Sequence, residues 1–313
     1  MKNFILTGAA GYIAPRHMKA IKETGNNLIA AYDPNDSVGV IDSYFPEAEF
    51  FTEFEELAFY TNKARKTDSQ VEYCSIAAPN HLHAAHINYA LLNGMDAICE
   101  KPLVIDPESL QVIENAEKES GKKLFNILQL RHHPSLLKLK SEVESGTENK
   151  HDVDLTYITS RGKWYHKSWK SDVSKSGGIV ANIGIHFFDM LVWIFGDIQN
   201  MKVHRMTHET ASGIIELKKA RVRWFLSLDI NDVPQNIRSQ GQRTYRSITV
   251  DTNEIEFSGG FTDLHTESYK NILSGKGFGV DVAKSSIYLV DQIRKSKISH
   301  LEGEYHPFLQ KNR

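Results

Sequence analysis

Over roughly its first 130 residues the chain alternates short apolar runs with amphipathic stretches, a pattern that few folds accept. The runs are FILTG (4–8), LIAAYD (28–33), EFFTE (49–53), VEYCSIAAP (71–79), DAICEKP (96–102) and KLFNILQLR (123–131). Between them lie helix-like segments such as HLHAAHINYALLNG and DPESLQVIENAEKESG. The second has a start signal at Asp106-Pro107, an acidic first turn at Glu108 and a stop at Gly121. Continuous β-rich runs alternating with helices imply a parallel sheet covered on both faces. Six of them predict an α/β fold that opens with a Rossmann-type domain over residues 1–127.

Beyond residue 131 the strands lengthen and alternate, as in VDLTYITSRG (153–162), ARVRWFLSLDI (220–230) and SITVDTNEIEFSG (247–259), with a tight hairpin at ELKKARV. This texture predicts an α+β domain over 128–313 with a large antiparallel sheet, serving substrate binding and oligomerisation. One strongly apolar helix, 177–196, interrupts it, and the polar stretch 231–246 with its three arginines reads as a long loop.

Charge and cysteine usage narrow the function classes. A net charge of −2 over 313 residues, with no basic arm, argues against a nucleic-acid platform. No run reads as membrane-spanning, and the N-terminal apolar stretch is too short for a signal peptide. Cys74 and Cys99 each sit in a strand-like run, which suits buried thiols in a reducing cytoplasm. His132, His133 and His151 lack a metal-ligand spacing, so no metal is expected.

FILTGAAGYIA (4–14) is the first candidate site. Gly8 ends the strand, Gly11 permits close backbone approach, and a helix from Tyr12 would aim unpaired N–H groups at a pyrophosphate. Ala10, Tyr12 and Ile13 would line that turn. Asp33, at the end of the second run, can accept from a ribose 2′-hydroxyl and repels a 2′-phosphate, which favours NAD over NADP. The alternative is an ordinary strand–helix turn with a solvated aspartate. The Gly8-x-x-Gly11-x-x-Ala14 spacing resembles short-chain dehydrogenases, whose chemistry needs Tyr-x-x-x-Lys. None of the twelve tyrosines has a lysine four residues on, so that reading fails.

The segment AAPNHLHAAHINYALLNGMDAICEKPL (77–103) is more specific. It resembles the glucose–fructose oxidoreductase/inositol dehydrogenase (Gfo/Idh/MocA) family, whose fifth strand ends in Glu-Lys-Pro, here Glu100-Lys101-Pro102. The preceding strand ends in Pro79-Asn80 with His83 three residues on, again as in the family. Lys101, at the carboxyl edge of a parallel sheet, can polarise a substrate oxygen or carry a proton; a surface lysine paired with Glu100 is the plainer reading. The helix GGIVANIGIHFFDM resembles the family's Gly-Gly-x-x-x-Asp-x-Gly-x-His-x-x-Asp pattern at Gly177, Gly178, Gly184, His186 and Asp189, with Asn182 in place of the first Asp. Asn182 and His186, four apart, share a helix face, and His186 is the candidate acid/base. An amide at 182 can orient the imidazole but gives it no charge stabilisation.

SRGKWYHKSWKSDVSKSGG (160–178), together with GAAGYIAPRH, resembles the branch of UDP-N-acetylglucosaminuronate 3-dehydrogenases that serve bacterial surface-polysaccharide (O-antigen) synthesis. The resemblance implies oxidation of a sugar 3-hydroxyl by tightly held NAD, possible recycling of NADH with 2-oxoglutarate, and a homotetramer. It puts Trp169 with the cofactor residues. Arg131, Arg161, Lys163 and Tyr165 join Lys101, Asn182 and His186 as substrate contacts, since a UDP-sugar acid carries a diphosphate and a carboxylate. Two other readings stay open: a dehydrogenase of a free sugar or inositol, and a non-catalytic NAD-binding regulator.

Overall fold

The structure, a computed structural model, describes residues 1–65, 70–146, 149–255 and 263–309. The chain forms two compact units, Met1–His132 with Thr262–Lys284, and His133–Phe261 with Ser285–Arg313.

In the first unit all six apolar runs become strands: β1 (Asn3–Thr7), β2 (Asn27–Tyr32), β3 (Glu49–Phe51), β4 (Tyr73–Ile76), β5 (Asp96–Cys99) and β6 (Leu124–Asn126). They pair in parallel in the order β3-β2-β1-β4-β5-β6. The order reverses between β1 and β4, and ligands of open α/β sheets bind beyond the carboxyl ends at such a switch point. The helix Glu108–Ser120 runs from Pro107 at its N-cap to a left-handed Gly121 at φ +67°, where the sequence signals put it. Cys74 and Cys99 are buried and unpaired with each other, and burial pushes the Cys74 thiol up to about 12. The sequence gives no sign of one contribution. The helix Leu264–Leu273 returns after the second sheet and sets Tyr269 and Ile272 into a core with Phe4, Met18, Leu28 and Ile98.

The second unit holds β7 (His151–Thr159), β8 (Ile198–Met206), β9 (Thr210–Leu217), β10 (Ala220–Ser227), β11 (Thr244–Val250) and β12 (Asn253–Ile255), in the order β12-β11-β7-β10-β9-β8. The sheet is mixed rather than purely antiparallel, because β7 and β10 pair in parallel while every other pair is antiparallel. The hairpin expected at ELKKARV turns at Lys218-Lys219 between β9 and β10. The expected strand 247–259 is a hairpin instead. Asp251 and Thr252, at φ +47° and +73°, reverse it as the two central residues of a tight turn; residues 256–259 lie outside the described residues. The stretch 231–246 is not one loop. It holds a 3₁₀ turn, a helical turn at Gln235–Arg238 and the start of β11.

The apolar helix is also less regular than expected: a π turn, Val180–Gly184, precedes an α-helix, Ile185–Phe195. The stretch Val173–Phe195 is apolar and long enough to cross a membrane, more than the sequence reading allowed, but 78% of its apolar 18-residue segment is buried within the fold. It packs on the sheet as core, with Phe188 edge-on to Trp224 at 5.2 Å.

Candidate active site

Crowding dictates the turn after β1. Gly8 sits at φ +86°, and a Cβ there would lie 2.5 Å from the backbone of Ala77 and Ala78, just past β4. The N–H groups of Gly8 and Ala9 donate to the Tyr32 carbonyl at 2.8 and 3.1 Å, tying the turn to the end of β2. Asp33 comes next in the chain. Its Oδ2 accepts the Ala10 N–H at 3.0 Å and its Oδ1 the Asn35 N–H at 2.9 Å, so a half-buried carboxylate is held beside the turn. Gly11 N–H closes on Gly8 O, whereas the N–H groups of Tyr12 and Ile13 have no partner among the described residues. The helix Ala14–Glu23 follows with Pro15 in its first turn, and the Tyr12 ring, 85% exposed, leaves the turn open. This arrangement fits a dinucleotide: the turn lets a pyrophosphate approach, N–H groups wait for it, and a carboxylate stands where a ribose would be read.

The loops after β4 and β5 are held together. Asn80 is buried, and His83, fully buried, places Nδ1 2.7 Å from the Pro102 carbonyl and Nε2 2.9 Å from the Ala78 carbonyl. The His83 ring thus ties Pro79-Asn80 to the Lys101-Pro102 edge through the backbone. Asn126 Nδ2 adds a bond to the Cys99 carbonyl at 2.9 Å. Lys101 is half-buried at that edge, and its N–H donates to Glu100 Oε2 at 3.2 Å.

The Glu100 carboxylate turns inward, into a group that sequence reasoning missed. Its Oε1 meets His17 Nε2 at 3.2 Å and His265 Nε2 at 2.8 Å. His17 Nδ1 lies 2.7 Å from the Tyr269 hydroxyl, which in turn lies 2.6 Å from Ser75 Oγ. Burial works to raise the Glu100 carboxyl, but the hydrogen bonds from His17 and His265 outweigh it and hold the group well below the usual carboxylate range. Burial lowers His265 despite its bond to Glu100. A signal for His17 was present in the sequence: it occupies a core position in the series Ala14, His17, Met18, Ile21 of one helix face.

In the second unit the double glycine is a conformational requirement. Gly177 and Gly178 are consecutive left-handed residues at φ +78° and +75°, conformations that glycine adopts without penalty. The π turn then carries Asn182, and such wide turns recur at functional positions. Asn182 Nδ2 donates to the buried Tyr165 hydroxyl at 3.2 Å. Burial raises the Tyr165 phenol, opposed by that bond and by the charge of Arg161. His186 is half-buried on the next helical turn and Asp189 is buried.

Arg161 donates its backbone N–H to Leu228 O, while its side-chain Nε is buried without an acceptor among the described residues. Lys170 lies 4.5 Å from the centre of the Trp169 ring, and burial, then the charge of Arg161, lowers its ammonium. The structure therefore gathers Arg161, Tyr165, Asn182 and Lys170 into one electrostatic neighbourhood. Lys163 is exposed on the surface. Arg131 belongs to the first unit, buried with its guanidinium 5.2 Å from the Phe278 ring. Of the arginines in 231–246, Arg243 donates to Ser160 Oγ at 3.0 Å and Arg246 lies over Tyr157 at 5.2 Å. Tyr157 packs in turn on Phe187 at 4.7 Å, beside His186 in the chain.

Residues 2–127 match the family model "Oxidoreductase family, NAD-binding Rossmann fold", and residues 149–243 match its C-terminal alpha/beta domain. The chain belongs to the Gfo/Idh/MocA oxidoreductase family. Within the range of known Gfo/Idh/MocA structures it is similar to the WlbA (WbpB) dehydrogenase from Thermus thermophilus in complex with NAD and alpha-ketoglutarate. The two are 52% identical with a TM-score of 0.95, over 98% of this chain and 100% of that one. Similarity to that dehydrogenase in complex with NAD and UDP-GlcNAcA is 51%, at the same TM-score and coverage. Among curated proteins, inositol 2-dehydrogenase of Salmonella typhimurium is 24% identical over 62% of this chain. The chain spans only part of the length of the curated relatives it matches: 15% of oxidoreductase cns1 of Cordyceps militaris, 47% of the putative oxidoreductase YteT of Bacillus subtilis and 55% of that inositol dehydrogenase.

Proposed function

We propose that the chain oxidises the 3-hydroxyl of a UDP-N-acetylated glucuronic acid to the 3-keto sugar, with NAD as cofactor, in the cytoplasm and in the service of bacterial surface-polysaccharide synthesis. The observation that carries this reading is the buried Arg161 Nε, without an acceptor among the described residues, near a second cation, Lys170, whose ammonium is disfavoured by burial. A buried guanidinium nitrogen left unpaired is costly, and an anionic substrate group removes that cost. A neutral polyol would leave both cations uncompensated, which argues against the inositol alternative. The 51% identity to a dehydrogenase solved in complex with NAD and UDP-GlcNAcA supports the same substrate class.

Bound NAD would supply the acceptor for the hydride that leaves C3 with its electron pair. The turn residues Gly8, Ala10, Gly11, Tyr12 and Ile13 would hold its pyrophosphate and Asp33 its ribose, with Pro79, Asn80, Glu100, Lys101 and Trp169 completing the cofactor set. His186 accepts the hydroxyl proton, since an imidazole titrates near neutrality. Lys101 polarises the same oxygen. Asn182 orients without adding charge, and its amide is itself steadied by Tyr165. Arg161 and Lys170 take the anionic part of the substrate, with Arg131 and Lys163 as further cations. A keto acid, 2-oxoglutarate, would regenerate the oxidised cofactor by taking the hydride at its keto carbon and a proton at its keto oxygen, becoming the 2-hydroxy acid. The protein assembles as a homotetramer.

The test mixes purified protein with UDP-N-acetylglucosaminuronate and follows nicotinamide absorbance, with and without 2-oxoglutarate. Reduction by the sugar and reoxidation by the keto acid are expected. Arg161→Gln should raise KM for the sugar about tenfold to a hundredfold, the worth of a charge-assisted hydrogen bond, while nucleotide content stays the same. A flat trace with the sugar nucleotide and a rise with myo-inositol would refute the proposal.

A further inference from the structure

The buried group around Glu100 offers three metal-type ligand atoms, on His17, Glu100 and His265, all within 4.8 Å of one another. Its hydrogen-bond pattern speaks for a different use. A metal on both Nε2 atoms would force the ring proton of each histidine onto Nδ1. For His17 that is acceptable, because Nδ1 faces the Tyr269 hydroxyl. For His265 it is not, because Nδ1 is buried with no partner among the described residues. An N–H there would be an orphaned buried donor, which folded proteins avoid. With the protons on Nε2 instead, both rings donate to Glu100 Oε1, and the bare lone pair at His265 Nδ1 is the lesser cost.

Glu100 then receives three N–H bonds: two on Oε1 from the histidines, and one on Oε2 from the backbone of Lys101. The histidines come from separate helices, Ala14–Glu23 and Leu264–Leu273, and the chain His17–Tyr269–Ser75 anchors the first of them to β4. We propose that His17 and His265 are positioning residues for Lys101: they clamp Glu100 as a permanent buried anion whose second oxygen fixes the Lys101 backbone at the sheet edge. This rests on the reading of Lys101 as part of the reacting edge. The groups that face Glu100 are His17 and, through its influence on His265, Arg16 from the first helix; His265 and Tyr269 from the second; His83 from the helix after β4; and Cys99 and Lys101, its neighbours in the chain at the end of β5. His17 and His265 each donate a side-chain hydrogen bond to it. Removing either donor therefore lets Glu100 take a proton at higher pH.

The test compares His265→Ala with His265→Gln, whose amide can place a donor near the lost Nε2. His265→Ala should lower kcat about tenfold to a hundredfold, with KM for the sugar nucleotide changed less than about threefold, and should move the acid limb of kcat up by roughly one to two pH units. His265→Gln should recover most of both effects. If the two variants are equally impaired while folded, the clamp is overturned. A readout without substrate uses ¹⁵N spectra of the histidine rings of the wild-type holoenzyme, alongside its zinc content after incubation with zinc chloride. Protons on Nε2 of both rings and no bound zinc support the clamp even if the alanine variant fails to fold. A proton on His265 Nδ1, or stoichiometric zinc, overturns it. Because these spectra need no turnover, a wrong substrate assignment and a wrong clamp give different results.

Discussion

Replacing Gly8 by alanine separates two demands the structure makes on the nucleotide turn. The residue sits at φ +86°, and a Cβ would stand 2.5 Å from backbone atoms of Ala77 and Ala78, which cannot rotate away. The left-handed backbone alone costs an L-residue about 1–2 kcal/mol, and forcing β4's exit aside adds about 1–3 kcal/mol of overpacking. Gly121 supplies the control: it is left-handed at φ +67° with nothing within 4 Å of a Cβ. Gly121→Ala should therefore show the backbone term only. At about 2–4 °C per kcal/mol for a domain of this size, Gly121→Ala lowers Tm by about 2–8 °C and Gly8→Ala by about 4–20 °C. The shifted Ala77-Ala78 backbone should also reduce the nucleotide that co-purifies with Gly8→Ala and leave it unchanged in Gly121→Ala. Thermal unfolding by circular dichroism and chromatography of released nucleotide read both. Equal melting shifts in the two variants, with full nucleotide in each, would refute the crowding argument.

Three further outcomes follow from single groups. Asp33→Ala should reduce the preference for NAD over NADP about tenfold to a hundredfold in Kd measured by nucleotide titration, because the held carboxylate both accepts from a 2′-hydroxyl and repels a 2′-phosphate. His186→Ala should lower kcat by ~10²–10⁴ with NAD still bound; near-normal turnover would remove it from proton transfer. His306 is buried, accepts the Phe308 N–H and lies 3.2 Å from Thr156 Oγ1, and burial, then Arg223, push it from 6.5 down to about 3. The folded protein keeps it neutral while the unfolded chain takes a proton below about 6.5, so its contribution is whole above that pH and falls by up to about 1.4 kcal/mol per unit as pH drops towards 3. Urea titrations at successive pH values should show His306→Gln flattening that decline; an unchanged acid slope would contradict the assignment.

The first sheet was legible because its central strands β1, β4 and β5 are buried almost throughout and so announce themselves as unbroken apolar runs. β8 was not. Its residues are mostly half-exposed or exposed, and irregularities at Ile198/Asn200 and Val203/Arg205 break the two-residue period by which strands are recognised. The parallel pairing of β7 with β10 was equally hidden, since alternation reveals faces and not direction. Within the site, Glu100-Lys101-Pro102 and the Gly177–Asp189 pattern could be read from local spacing. The π turn could not, because a 3.6-residue period was assumed across Val180–Gly184. Lys170 was not among the candidate site residues, since nothing in its neighbours marks a desolvated lysine; only the folded chain sets it over Trp169 and within reach of the charge of Arg161.

The long-range partners of Glu100 bear on how such motifs should be read. A Glu-Lys-Pro turn looks self-contained in the sequence, yet its glutamate owes its ionised state to His17, some eighty residues before it, and to His265, well after it. The second of these belongs to the segment Thr262–Lys284, which enters the first unit only after the whole second sheet has been laid down. The same helix supplies Tyr269, whose ring fills the core while its hydroxyl bonds both His17 and Ser75. Burying a carboxylate without those donors would raise its pKa and leave it neutral. The clamp on Lys101 is therefore complete only once the chain has returned from the second unit, and residues 1–132 by themselves carry the motif without the environment that sets its charge.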